Sequence, residues 1–196
     1  MQNILKFRNM VVSGVVVVKC ARHDMYMPAA AVDLHKGEKW VTCIDLYGSP
    51  KSHTLLRFSY SDFALRQALQ TYDLYPHIVC TYDNACQWEK NVDKRVKSSR
   101  ELSERILTII SIIYKTPKLH AKGHIDDCLY VNSIDYAENV GRTHGERIES
   151  GWSRENQAGK ASCEMTAGRR HEFLSDDFNE ANYQQNIQLG KLIDAP

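Results

Sequence analysis

The 196-residue sequence has no excess of charge of either sign, since 25 Lys and Arg stand against 24 Asp and Glu for a net charge of +1. No global field therefore draws the chain to nucleic acid or anionic lipid, and any DNA contact must come from a local patch. It also has no long apolar run. The stretch ILTIISIIY at 106–114 falls well short of the ~20 residues a membrane helix needs. The run VVSGVVVV, preceded by Lys6 and Arg8, is β-branched and followed by no small-residue cleavage site, so it reads as a strand and not as a signal peptide. Phosphate-cradling loops of the forms G-x-x-x-x-G-K-[ST] and G-x-G-x-x-G are missing, as is a G-x-S-x-G elbow. Cys86 has no basic neighbour at a helix start to activate it as a nucleophile. Repeats and low-complexity tracts are absent. The six cysteines, Cys20, Cys43, Cys80, Cys86, Cys128 and Cys163, are scattered and not packed as in a small secreted scaffold, which predicts reduced thiols.

What is present suffices for one core: the composition is 43% hydrophobic, and a chain of this length is expected to form a single domain. SGVVVVKCARHD reads as a strand buried on both faces, and HIVCTYD as a second strand ending at Asp83. Between them SDFALRQALQTYDLY places Phe63, Leu65, Ala68, Leu69 and Tyr72 at helical spacing behind Ser61 as cap. SSRELSERILTIISIIYK opens with Ser98 and Glu101 in capping-box register and carries Leu102, Ile106, Ile109, Ile110 and Ile113 on one face, which predicts a further helix with a β-branched second half. Pro117 restarts the chain in extended form. Strands alternating with helices predict an α/β fold, a mixed sheet flanked by helices. Val41 to Arg57 has neither period nor turn logic and reads as an insertion.

Three groups of residues carry chemistry. In GRTHGERIESGWSREN, Glu146 and Glu149 are three apart and share a face if the segment is helical. With Asp83 at a strand end they could converge on Mg²⁺ or Mn²⁺, which prefer hard oxygen ligands. The competing reading pairs the two glutamates with Arg142, Arg147 or Arg154 and leaves Asp83 as a turn residue. In HAKGHIDDC, His120, His124 and Cys128 would fall within about 80° of one another on a continuous helix. Cys20 and His23 add a C-x-x-H pair with zinc-ligand spacing, and together the two groups could make one four-coordinate structural zinc site with one ligand left over, although His and Cys are also ordinary packing residues. The third group is the basic stretch Lys90, Lys94, Arg95, Lys97, Arg100 and Arg105, which could track a phosphate backbone or form a solvated helix face.

Read in order, SGVVVVKCARHDMYMPAAAVDLHKGEKW, SDFALRQAL, YDNACQWEKN, PKLHAKGHIDDC, NVGRTHGERIESGWSREN and MTAGRRHEFLSDDFNEANYQQN resemble successive blocks of the Kyakuja-Dileera-Zisupton transposases, abundant in fungal genomes. The resemblance is collinear from Ser13 to Asn186. It implies an RNase H-like core, incomplete here at its N-terminal strands, with a D-D-E set of carboxylates that binds Mg²⁺ or Mn²⁺ for DNA strand cleavage and transfer. Asp83 matches the second Asp of that set. Glu149 and Glu146 both lie in the block carrying the Glu, with Glu149 slightly favoured. His120, His124 and Cys128, and separately Cys20 and His23, match His/Cys blocks, so structural zinc is expected at them. DNA, as transposon ends and target, is the expected partner, with Lys90, Lys94, Arg95, Lys97 and Arg100 as its contacts, and the nucleus the expected location. Three departures stand out. Residues 1–12 hold no Asp where the family places its first catalytic one, residues 41–57 interrupt two otherwise adjacent blocks as retained intron or insertion, and His144 replaces an acidic residue. Residues 1–196 are therefore expected to form a single partial catalytic domain, a truncated DDE-type transposase unable to transpose for want of one ligand. The rival expectations are a non-catalytic, zinc-stabilised module that binds DNA or protein, and a chain without a stable fold.

Overall fold

A computed structural model describes residues 11–35, 58–70, 77–98, 111–141, 143 and 145–193, apart from the side chains at 93, 94, 96–98, 149, 150, 152, 153 and 192. The insertion at 41–57, Tyr72, Cys43, Arg100, Arg105 and His144 lie outside these residues. The architecture is α/β, with strands β1 (Gly14–Lys19), β2 (Tyr26–Leu34), β3 (His77–Thr81) and β4 (Ser111–Lys115). The helices are α1 (Ser59–Gln70), α2 (Ala85–Ser98), α3 (Lys118–Ala121), α4 (Asp126–Asn132), α5 (Arg147–Ala161) and α6 (Ala167–Ile193), with one 3₁₀ turn at Ile134–Tyr136.

The valine run forms β1, as its β-branched composition favours. It is half-buried along its length and not sealed on both faces, because only β2 flanks it among the described residues, antiparallel, with Gly14 opposite Leu34 and Val17 opposite Ala31. The register shifts by a bulge before Lys19 meets Tyr26. Asp24, at φ 57°, turns the chain between the strands, and its carboxylate holds Lys19 Nζ at 2.7 Å. An antiparallel β2 over Tyr26–Leu34 was not foreseen: its segment MYMPAAAVDL shows no clean alternation.

β3 and β4 pair in parallel, His77 with Ser111 through Thr81 with Lys115. The second half of the expected 98–115 helix is thus a strand over 111–115, and residues 99–110 lie outside the described set. The β-branched run Ile112–Ile113 prefers the pleated lattice beside Ile78 and Val79 to the crowded surface of a helix. The expected single mixed sheet is accordingly two two-stranded sheets among the described residues.

Helix α1 buries Ser61, Ala64, Leu65, Ala68 and Leu69 at i, i+3, i+4 spacing, while Phe63 faces outward and Ser61 sits inside the helix instead of capping it. Leu65 and Leu69 pack with Phe58, Ala85, Trp88, Val92 and Tyr114 into one core. Trp88 is its centre, edge-on to Tyr82 at 5.2 Å and to Tyr114 at 5.1 Å between ring centroids. A second core joins β2 to the C-terminal helices, where Tyr26 stacks on Phe178 at 4.2 Å beside Ala158 and Leu174. Asn182 of α6 completes the start of β2 like a neighbouring strand: its Oδ1 accepts from Tyr26 N at 2.7 Å and its Nδ2 donates to Tyr26 O at 3.0 Å. The Tyr26 hydroxyl donates to Glu155 of α5 at 2.5 Å, and burial together with that carboxylate pushes its pKa up. Arg154 on α5 grips Asp177 on α6 through two guanidinium nitrogens.

Candidate carboxylate site and metal centre

The parallel pair β3–β4 delivers both of its following segments to one end of the sheet, the carboxyl end, where open α/β sheets place their ligands. From β3 the chain passes through Tyr82 into a turn at Asp83 and Asn84 that opens α2, with Ala85 N bonded to Tyr82 O and Trp88 N to Asn84 O. A carboxylate ahead of a helix N-terminus is favoured by the helix dipole. From β4 the chain passes through Thr116, which bridges Ser133, and Pro117 into the single turn α3. His120 on that turn places Nδ1 2.9 Å from Asp83 Oδ1.

Glu146 reaches the same turn. Its Oε1 accepts the backbone N–H of Leu119 at 2.7 Å, so Asp83 and Glu146 engage neighbouring residues. Glu146 Oε2 is buried without a hydrogen-bond partner, a hard oxygen pointing at nothing that satisfies it. Glu146 is held there by Gly145, which is buried at φ 69° and so close to β3 that an added Cβ would lie 3.0 Å from Thr81 Cγ2. Glu149 lies on the first turn of α5, and its side chain is outside the described residues. Two carboxylates are thus bound to adjacent residues of α3, and one Glu146 oxygen is left without a partner. Asp83 and Glu146 are not part of any group of three His, Cys, Asp or Glu side chains closing to metal-ligand range among the described residues.

One such group exists, and sequence reasoning assembled it only in part. Cys86, His124 and Cys128 have their ligand atoms all within 4.8 Å of one another. His124 Nδ1 lies 3.5 Å from Cys86 Sγ and 3.2 Å from Cys128 Sγ. Around a tetrahedral zinc with Zn–S near 2.3 Å and Zn–N near 2.05 Å, a sulfur and a nitrogen are about 3.5 Å apart, so the cluster could hold a metal such as zinc. His120 is not a member. The expected continuous helix from His120 to Cys128 breaks at Lys122–Gly123, which turns His120 toward Asp83 and leaves His124 and Cys128 together. Cys86 takes the third place from the first turn of α2. Burial, and next the Cys128 thiol, push the pKa of Cys86 up, while Lys90 opposes the shift. No local spacing shows this ligand, because 38 residues separate it from His124. Cys20 and His23 do bond to each other at 3.4 Å but join no group of three among the described residues. Cys80, within β3, is half-buried, and desolvation pushes its pKa up to about 12.

Of the basic stretch, Lys90 is exposed. Arg95 is not a surface cation: it is buried on α2, its guanidinium on Asp62 and on the Trp88 carbonyl. A charge run cannot reveal which of its members turns inward. The side chains of Lys94 and Lys97 lie outside the described residues.

The sequence model of the Kyakuja-Dileera-Zisupton transposase matches residues 55–182, well over half of the chain. The chain belongs to the Kyakuja-Dileera-Zisupton transposase family. The matched region spans α1 to α6 and so contains Asp83, Glu146 and the Cys86–His124–Cys128 centre of this transposase-family chain. No curated protein and no solved structure matches it. Among the described residues no helix is long and apolar enough to cross a membrane.

Proposed function

We propose that this chain is part of a DDE-type transposase catalytic domain with an RNase H-like core, and that it binds DNA without cutting it unaided. The observation that carries this reading is the meeting of Asp83 and Glu146 at α3, on the carboxyl side of the parallel strands. Asp83 and Glu146, with Glu149 one turn along α5, would hold Mg²⁺ or Mn²⁺, and the ion would polarise a phosphodiester and lower the pKa of an attacking water. The residues' own contribution is orientation: His120 fixes one oxygen of Asp83, and the Leu119 N–H fixes one oxygen of Glu146. Among the described residues each sheet has two strands, fewer than the mixed sheet of an RNase H-like core, so that reading calls for further pairing. The D-D-E set of such a core calls for one more Asp on a strand ahead of β1, and residues 1–13 contain no Asp or Glu to play that part. Short of that ligand the remaining carboxylates cannot fix two ions, which is why binding without cleavage is the expected behaviour. Its place of work would be the nucleus, where its DNA substrate lies.

DNA would approach at the exposed Lys90 of α2, the first of the basic residues Lys90, Lys94, Lys97 and Arg100 in the sequence. Fluorescence polarisation with a labelled duplex at several salt concentrations tests this. Binding should weaken linearly in log[salt], and Lys90→Ala should weaken it on every sequence alike and reduce the salt slope by about 1. A salt-independent signal, or the absence of binding at low salt, would refute the DNA reading.

A further inference from the structure

We propose that one zinc ion, bound by the thiolates of Cys86 and Cys128 and by Nδ1 of His124 with a water molecule in the fourth position, is what fastens α4 to α2. The ligand geometry is half of the argument. The other half is that α4 is tied at its C-terminal end to β4 and the residue after it, Val131 O accepting from Lys115 Nζ at 2.8 Å and Asn132 O from Thr116 N at 2.7 Å, and neither bond reaches α2. Helix α4 is seven residues long and buries none of them, and a helix that short is marginal in water without tertiary support. Its apolar side chains are largely in solvent: Tyr130 is 61% and Val131 66% exposed. Asn132 donates to Cys128 Sγ at 3.4 Å, a weak bond to a sulfur that a metal would make more negative. Metal binding free energy is folding free energy where the site does not exist in the unfolded chain, so a Cys₂His zinc site would supply what the missing apolar burial does not. Three protein ligands leave one position of the tetrahedron, and no fourth His, Cys, Asp or Glu closes on it among the described residues.

The position of the centre gives the ion a second effect. Cys86 follows Asp83 by three residues and His124 follows His120 by four, so the ion would clamp the two segments that present Asp83 to His120. Those two side chains are 42% and 33% exposed, and an ion pair so exposed contributes too little by itself to fix a turn. This second effect rests on the carboxylate reading above; zinc binding itself does not.

The test uses the full chain, reduced, with zinc as the probe. Elemental analysis after dialysis should find one tightly held zinc per chain, lost in Cys86→Ser and in Cys128→Ser and retained in Cys20→Ser, Cys163→Ser and His120→Ala. Should the serine variants fail to fold, the wild-type chain decides by alkylation mass spectrometry. With free zinc at about 100 times its Kd the metal-free fraction falls about a hundredfold, and labelling of Cys86 and Cys128 should slow to match, while Cys163, exposed, labels at one rate throughout. Hydrogen exchange over residues 118–132 should accelerate when the metal is chelated. Retention of zinc by Cys86→Ser, loss of zinc in His120→Ala, or equal labelling of Cys86 and Cys128 with and without zinc would overturn the site. Unchanged exchange over 118–132 would overturn its fastening role. Neither outcome depends on whether the chain binds DNA.

Discussion

Replacing Asp62 by alanine is expected to lower stability by about 3–5 kcal/mol, the loss found when one partner of a buried ion pair is removed. Asp62 sits in the first turn of α1 with its side chain 15% exposed, and Arg95 of α2 meets it with 6% exposed. The carboxylate collects three donors: the Trp88 indole at 2.6 Å, Arg95 Nε at 2.5 Å and Arg95 Nη2 at 3.0 Å. Together they tie α1 and α2 across the core that also contains Phe58, whose ring lies 5.4 Å from the Arg95 guanidinium carbon. Without the carboxylate the guanidinium remains in a place from which water is excluded, and the Trp88 N–H loses its acceptor. The double replacement Asp62→Ala with Arg95→Met should recover part of the loss, because it removes the charge that the single variant strands. Urea denaturation followed by circular dichroism measures both. A loss below about 1 kcal/mol for Asp62→Ala would mean that Arg95 reaches solvent, and the basic face of α2 would then include it.

Arg170→Ala is expected to act between the β1–β2 hairpin and the C-terminal helices by a similar amount, about 3 kcal/mol. Arg170 on α6 is 9% exposed and lies 3.1 Å from Asp33 of β2, itself 11% exposed. It also donates to the hydroxyl of Ser162, a buried residue in the turn joining α5 to α6. One side chain thus ties the hairpin to the turn between the last two helices. In the variant Asp33 keeps His171 at 3.3 Å, whose side chain is 70% exposed, a partner that water screens. For a chain of this length, 3 kcal/mol corresponds to a fall in Tm of roughly 6–12 °C. Calorimetry checks it, and Arg170→Lys should not rescue, since an ammonium cannot span Asp33 and Ser162 with a planar fork. Full rescue by lysine would show that charge alone matters there.

These two arginines mark the boundary of what the residue pattern can convey. Local pattern was legible in kind and less so in bounds: the valine run is β1, HIVCTYD holds β3, which stops at Thr81 and not at Asp83, and the amphipathic stretch placed behind Ser61 is α1, which already begins at Ser59. Sequence blocks in collinear order carried the family, because several long matches in the right order are far more specific than any spacing. Where a local signal was ambiguous, tertiary context decided. SIIYK follows a helical apolar face yet forms β4, because an adjacent strand of matching β-branched residues was available to it. Arg95 reads as one of six basic residues and is a buried anchor. Contacts between distant residues were illegible. Cys86 was set aside for lack of a basic neighbour, whereas its partners are His124 and Cys128, which only the turn at Lys122–Gly123 brings to it. The same turn separates His120 from those residues and gives it to Asp83. Between the two glutamates the sequence leans to Glu149, whose side chain lies outside the described residues, while Glu146 holds an unsatisfied buried oxygen.

The most direct test of the account is manganese binding at that oxygen. The zinc-loaded full chain should be titrated with Mn²⁺ and the free ion followed by electron paramagnetic resonance. The account predicts one bound Mn²⁺ per chain, lost in Asp83→Asn and in Glu146→Gln, with no nicking of supercoiled plasmid by the wild-type chain under the same conditions. Manganese binding that survives both substitutions, or plasmid nicking that Asp83→Asn leaves intact, would contradict it.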